Sequence, residues 1–336
     1  FNEVRVRRSE NRLRNLGYFS QVLSYPESTD EDGVYDLVFE VEEQRMGQMS
    51  VGAGFSSIDQ LSGFFEVSHG NFDLTEWPPV GGGQKLKLRG TLGTERTDLE
   101  FTFIEPWLFD RKLSFELNLF NHDRRFLSDN YNQETLGGSV ALGKALAPRL
   151  RGGLAYSLEQ YDIYDVSDSA SDLIKDEAGL RVKSALTPSV LHDSRDNSFI
   201  PTRGNRSSVA FTYAGGILAG DTDLYQVNLR TSQYWSLWLE HVLSLRARWG
   251  VVEPYGDSDR VPIFDRYFLG GAYTVRGFDY REVGPVDDED DPIGGNSMVF
   301  ASLEYTVPVV DKIRAACFYD TGMVWEDSYT VNSDLN

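Results

Sequence analysis

From Gly47 onward, apolar and polar positions alternate in runs of about ten residues, with turn-forming clusters between the runs. Leu113, Phe115, Leu117 and Leu119 alternate with Ser114, Glu116 and Asn118; Tyr225, Val227, Leu229 and Thr231 alternate with Gln226, Asn228, Arg230 and Ser232. A period of two marks a strand with one apolar face. Thirteen strands are predicted, near 48–56, 61–69, 84–92, 97–105, 112–121, 132–143, 150–160, 179–192, 205–214, 223–235, 240–250, 297–307 and 312–325. The connections 106–111, 145–149, 236–239 and 307–311 are tight, while 122–131, 161–178 and 251–296 are long and acidic.

The length of 336 residues fits two soluble domains or one long β-barrel. Mean hydropathy is only −0.37, and the absence of any apolar run of about 18 residues excludes a helical membrane protein. A membrane β-barrel is predicted instead, because its alternating strands average out as hydrophilic and a water-filled lumen accounts for a polar inner face. The net charge of −20 argues against nucleic-acid binding, which needs clustered Lys and Arg. The single Cys317 cannot form an internal disulfide and reads as a small apolar strand residue.

Residues 1–45 are patterned differently. Positions 4–15 suit a basic helix stopped by Gly17, followed by a strand near 21–25, a turn at Asp32-Gly33 and a second strand in which Tyr35, Leu37, Phe39 and Val41 alternate with Asp36, Val38, Glu40 and Glu42. The chain is therefore divided into a small α+β module over 1–45 and an antiparallel all-β barrel over 46–336. No signal peptide is visible in the first residues, residues 329–336 do not read as a strand, and bacterial outer-membrane barrels have even strand numbers. Further strands are accordingly expected after Asn336.

One loop stands out. In Gly270-Gly271-Ala272-Tyr273-Thr274-Val275-Arg276-Gly277-Phe278, Gly271 and Gly277 permit a sharp fold-back that presents Arg276 at a tip. Downstream, Val299, Ala301, Leu303 and Tyr305 form an apolar face that puts Glu304 on the other side, and the apolar odd positions up to Tyr319 put Arg314 and Asp320 on the polar side. Parity thus offers Arg276 two carboxylates on one sheet face.

No catalytic centre is expected. His192-Asp193-Ser194 contains the residue types of a hydrolase triad, but adjacent residues rarely form one and no G-x-S-x-G is present. The acidic run 287–291 lacks the spacing of a calcium loop and reads as a solvated loop, so neither metal nor cofactor is expected. Trp77-Pro78-Pro79 either docks a partner lipoprotein or lies at a membrane interface, a boundary that Trp107, Trp235 and Trp238 also mark.

These motifs together resemble the BamA superfamily of outer-membrane assembly and translocation barrels. Val275-Arg276-Gly277-Phe278 is similar to the superfamily's loop motif, and 292–296 with 301–305 resemble the strand after it. Residues 318–322 are similar to the next strand's aromatic-Asp-x-Gly motif. Asp193, Arg195 and Asp196, followed by Pro201 and Gly204, resemble the family's mid-barrel periplasmic turn. The resemblance implies a sixteen-stranded barrel lacking here about its last three strands, preceded by the end of the last POTRA module in the periplasm. It also implies that Arg276 pairs with Glu304 and Asp320 inside the lumen.

The function so implied is folding and insertion of unfolded outer-membrane proteins into the lipid bilayer, with accessory assembly lipoproteins and without ATP. Gly47, Gly52 and Gly54 make the first barrel strand weak, and an edge that opens there offers backbone groups to an incoming strand; close packing or sheet curvature is the other reading of each glycine. The alternatives are a translocation pore of the two-partner-secretion or TamA type and, less favoured, a passive porin.

Overall fold

The computed structural model describes residues 2–15, 18–31, 33–56, 60–310 and 313–328. Helix α1 (Glu3–Asn15) packs on β1 (Phe19–Ser28), which pairs antiparallel with β2 (Tyr35–Glu43). Val22, opposite Val41, is buried, and Arg14 donates to the Val22 carbonyl at 3.0 Å. The expected stop at Gly17 and turn residue Asp32 fall outside the described residues, as do Ser57 and 329–336.

A thirteen-stranded antiparallel sheet follows, and its hydrogen-bonded order is its chain order. The strands are β3 (Gly47–Ser56), β4 (Gln60–Phe72), β5 (Gln84–Gly93), β6 (Arg96–Glu105), β7 (Ser114–Arg124), β8 (Asn132–Ala147) and β9 (Leu150–Tyr164). They continue as β10 (Gly179–Asp193), β11 (Gly204–Ala214), β12 (Leu224–Ser236), β13 (Val242–Pro254), β14 (Ser297–Val310) and β15 (Ile313–Trp325). Among the described residues β3 pairs only with β4, and β15 only with β14.

One face of this sheet is lined with exposed apolar residues such as Met49, Leu119, Leu158, Leu229 and Leu303. The opposite face carries Glu66, Asn118, Arg230 and Glu304, which share a side through the strand registers. Apolar outside and polar inside, with backbone groups paired along the ladders, is the construction of a transmembrane β-barrel. Among the described residues no helix is long and apolar enough to cross a membrane.

Several strands overrun their predicted ends. β8, β9 and β13 continue to Ala147, Tyr164 and Pro254, and the added end of β9 buries Tyr161 and Ile163 beneath the loops rather than facing lipid. The turn expected at 307–311 is shorter than read, because β14 stays paired with β15 through Val310 opposite Ile313; residues 311–312 are outside the described set. Two cores result. One lies in the long loops, where Leu127, Tyr131, Ile163, Ala170, Ile174 and Ile263 pack together, Ile174 coming from helix α2 (Asp172–Glu177). The other lies on the inner wall, where Leu269 and Val275 meet Phe300, Met298 and Val324.

Candidate functional site

The chain leaves β13 at Pro254, folds into the lumen, and re-enters the sheet at Ser297. Bridges between Tyr267 and Gly295 and between Leu269 and Val283 fold the excursion on itself. The Tyr267 hydroxyl donates to Asn228 on the inner wall at 3.1 Å. Gly270 sits at φ +112°, where an added Cβ would lie 2.3 Å from the Asp279 carbonyl oxygen; Gly271 and Gly277 are also at positive φ. Thr274 closes the turn, its hydroxyl accepting from the Gly270 amide at 2.9 Å and donating to the Gly270 carbonyl at 2.8 Å.

Val275 then packs on the inner wall, and Gly322 makes this possible. A Cβ at Gly322 would stand 2.8 Å from Leu269 and 3.4 Å from Val275. This seating aims Arg276 at β14 and β15. Its Nε and Nη2 donate to the two Asp320 carboxylate oxygens at 2.6 and 2.8 Å, and its backbone amide donates to Asp320 Oδ2 at 3.1 Å. Nη1 reaches Glu304 at 2.8 Å and Nη2 the Ser302 hydroxyl at 3.2 Å. The guanidinium carbon lies 3.3 Å from the Phe318 ring centroid. A fork–fork pair, a second carboxylate and an aromatic face are the full complement a partly dehydrated guanidinium takes. Phe278, the last residue of the motif, is exposed.

Two of these contacts escaped the sequence reading although parity carried the signal: Ser302 shares the face of Glu304, and Phe318 that of Asp320. Arg314 shares that face too, but its nearest partner is the Glu240 carbonyl at 3.5 Å. A second arginine of the loop, Arg281, gave no local signal. It is buried, donates to the Tyr131 hydroxyl at 2.8 Å and the Leu127 carbonyl at 3.2 Å, and lies over the Phe268 ring at 3.8 Å. It thereby ties this loop to the β7–β8 loop.

The three glycines of β3 differ. A Cβ at Gly52 would stand 2.5 Å from the Phe64 ring, so packing requires this glycine. At Gly47 the nearest atom, on His69, is at an ordinary 3.6 Å, and at Gly54 nothing lies within 4 Å.

Between β10 and β11, Arg195 grips Asp193 through two bonds of 2.9 and 2.8 Å. Asp196 accepts from the Thr202 hydroxyl at 2.5 Å and from the Asn197, Thr202 and Arg203 amides, closing a ring that contains Pro201. These donors, the Thr202 hydroxyl first, hold the Asp196 carboxyl well below the usual carboxylate range. Gly204, at φ +102°, passes so near Ser194 that a Cβ would lie 2.4 Å from its carbonyl oxygen. With Asp193 committed to Arg195, and His192 Nδ1 3.3 Å from Asn205 Oδ1, the three consecutive residues 192–194 do not form a triad. The acidic run is organised by Asp287, which accepts from the Glu289 and Asp291 amides. No group of side chains among the described residues is arranged to hold a metal ion. Trp77, Trp107, Trp235 and Trp238 are all exposed.

Residues 80–336 match the family model described as the Omp85 superfamily domain. The outer membrane protein assembly factor BamA of Nitratidesulfovibrio vulgaris is 30% identical over 337 aligned positions, which cover 99% of this chain and 41% of that protein. The chain thus spans less than half the length of this relative. Among solved structures, BamA from Haemophilus ducreyi lacking POTRA domains 1–3 superposes with a TM-score of 0.75 at 23% identity, over 95% of this chain and 65% of that one. CdiB from Escherichia coli superposes with a TM-score of 0.58 at 14% identity, over 94% of this chain and 59% of that one. An alternating thirteen-strand wall, a lumen loop held through Arg276, and a family match over most of its length place this chain in the Omp85 superfamily.

Proposed function

We propose that this chain is the membrane part of an outer-membrane assembly factor, which folds and inserts β-barrel proteins by templated strand addition at β3. The observation that carries the reading is the make-up of the first barrel strand: Gly47 and Gly54 of β3 have no packing reason to be glycine, so β3 pairs weakly with whatever strand closes the barrel and can open as an edge. Unpaired N–H and C=O groups are costly in lipid, so an incoming strand gains its backbone hydrogen bonds by docking there, and no nucleotide is needed. In this reading the Arg276 contacts hold the long loop against β14 and β15 while β3 works, and Arg276 does not touch the client.

The helix and hairpin of residues 1–45 are, on this proposal, the end of a POTRA module in the periplasm, and the short-turn end of the barrel faces the same side. The partners are unfolded outer-membrane proteins, accessory assembly lipoproteins and the bilayer. The fold likeness to CdiB favours a translocation pore as the second reading. A passive porin is disfavoured, because the 255–296 excursion packs into the lumen through Leu269 and Val275 against Met298, Phe300 and Val324.

The test is reconstitution of the full-length protein in liposomes without nucleotide, followed by addition of an unfolded eight-stranded barrel. Accelerated appearance of protease-protected, heat-modifiable client is expected. A rate equal to that of empty liposomes, or loss of one exported substrate with normal barrel levels on depletion in cells, overturns the insertase reading.

A further inference from the structure

The inner face of β11, β12 and β13 carries Arg206, Arg230, Arg246 and Arg248, which line a cavity of about 230 Å³ together with Ser208 and Ser232. In a chain of net charge −20 this is a local excess of positive charge. Arg230 stands directly opposite Arg248 in the ladder, a like-charge pairing that works against the sheet. The acids nearby are already engaged. Asp193 lies 3.9 Å from Arg206 but is gripped by Arg195 at 2.8 Å, and Glu304 lies 3.9 Å from Arg246 but bonds Arg276 at 2.8 Å. Arg230 and Arg248 have no carboxylate within ion-pair distance among the described residues, and the Arg248 guanidinium carbon lies 5.6 Å from the Phe300 ring centroid.

We infer that this wall is a binding site for an extended acidic polypeptide segment. Guanidinium forks pair bidentately with carboxylates, and their arrangement sets the shape of the ligand. Arg246 and Arg248 are alternate residues of one strand, so their stems stand about 7 Å apart, the spacing of alternate side chains in another extended chain. Arg206 and Arg230 continue the charge onto β11 and β12 rather than converging on one point, as a cradle for a single phosphate would. The inference deepens the assembly reading, since an unfolded client supplies such a segment.

The probe is a fluorescein-labelled heptapeptide with Glu at alternate positions and Thr between, titrated into the full-length protein in detergent; the same peptide with Gln for Glu is the control. The Glu peptide should bind at least tenfold tighter, weaken steeply between 50 and 500 mM salt, and lose tenfold or more in affinity in Arg230→Gln/Arg248→Gln. Arg230→Gln alone is the milder variant. Both should melt no lower than the parent, because each removes an opposed pair of charges, while Arg89→Gln on β5 should leave binding unchanged. Equal binding of the Glu and Gln peptides, unchanged binding by the double variant, or tripolyphosphate competing at concentrations as low as the peptide's own overturns the assignment. The titration requires no insertion activity, so a failed insertion assay counts against the proposed function and leaves this result standing.

Discussion

At β14 and β15 the barrel wall is loaded: Asp320, Glu304, Ser302 and Phe318 all meet one guanidinium delivered by the long loop, and the Asp320 side chain is only 2% exposed. At β3, the first strand of the barrel, a side chain added at Gly54 would meet nothing and Met49, Val51 and Phe55 are exposed. Two regions of one sheet thus differ in how heavily side chains load them. On the proposed reading a wall that opens at β3 needs its shape fixed elsewhere, and the loop would supply that fixation through side chains rather than through more backbone pairing.

The contrast is most easily broken at its loaded end. Arg276→Ala leaves Glu304 and Asp320 facing each other without their cation, and should cost about 3–5 kcal/mol, the usual effect of removing one partner of a buried pair. Denaturant unfolding and the temperature at which the heat-modifiable band disappears should both fall; an unchanged midpoint would show that the loop is held by its apolar contacts alone. Arg276→Lys should recover only part of the loss, since an ammonium cannot make the fork to Asp320.

Gly322→Val attacks the same end through packing. The branched side chain enters space held by Leu269 and Val275, and overpacking of this kind costs about 1–3 kcal/mol. Limited proteolysis should then cut the 255–296 excursion while the strands survive.

At the bare end the expected effects are smaller and divide within a single strand. Gly52→Ala pushes on the Phe64 ring and should destabilise by about 1 kcal/mol. Gly54→Val meets no neighbour, so it should leave the melting temperature within a degree or two of the parent while slowing client insertion, as a β-branched residue stiffens the strand. Equal insertion rates for Gly54→Val and the parent would sever the link between a sparsely packed first strand and activity.

The smallest effect belongs to the 194–203 turn, remote from both ends. Asp196 titrates below the ordinary range in the folded protein, so its contribution is fully present above the unfolded-chain value of about 4 and is lost as pH falls through the lower folded value. Asp196→Asn should therefore narrow the stability gap to the parent as the medium is acidified from about pH 4 downward; a gap independent of pH would show that the ring of amides, not the charge, matters.

Much of this was legible in the chain because it is local. Thirteen strands follow from alternation, and the same parity puts Glu304 and Asp320 on the face where the structure has them. What alternation cannot report is meeting across long separations. Nothing near Arg281 in sequence announces Tyr131, and nothing near β9 announces that its far end serves a loop core instead of lipid. The glycines of β3 look alike in sequence, and only the position of Phe64 on β4 separates Gly52 from Gly54. Arg230 was visible as a polar alternate, but that Arg206, Arg246 and Arg248 share its face needed the register.

The small core shared by the 125–131, 165–178 and 255–296 loops has a thermodynamic consequence. Side chains such as Ile174 and Ile263 are taken out of water when those loops close, whereas the outer surface of the strands exchanges one oily environment for another. A calorimeter should accordingly register most of the heat-capacity increment when the dome melts, ahead of and separate from the enthalpy absorbed as the strand ladders part.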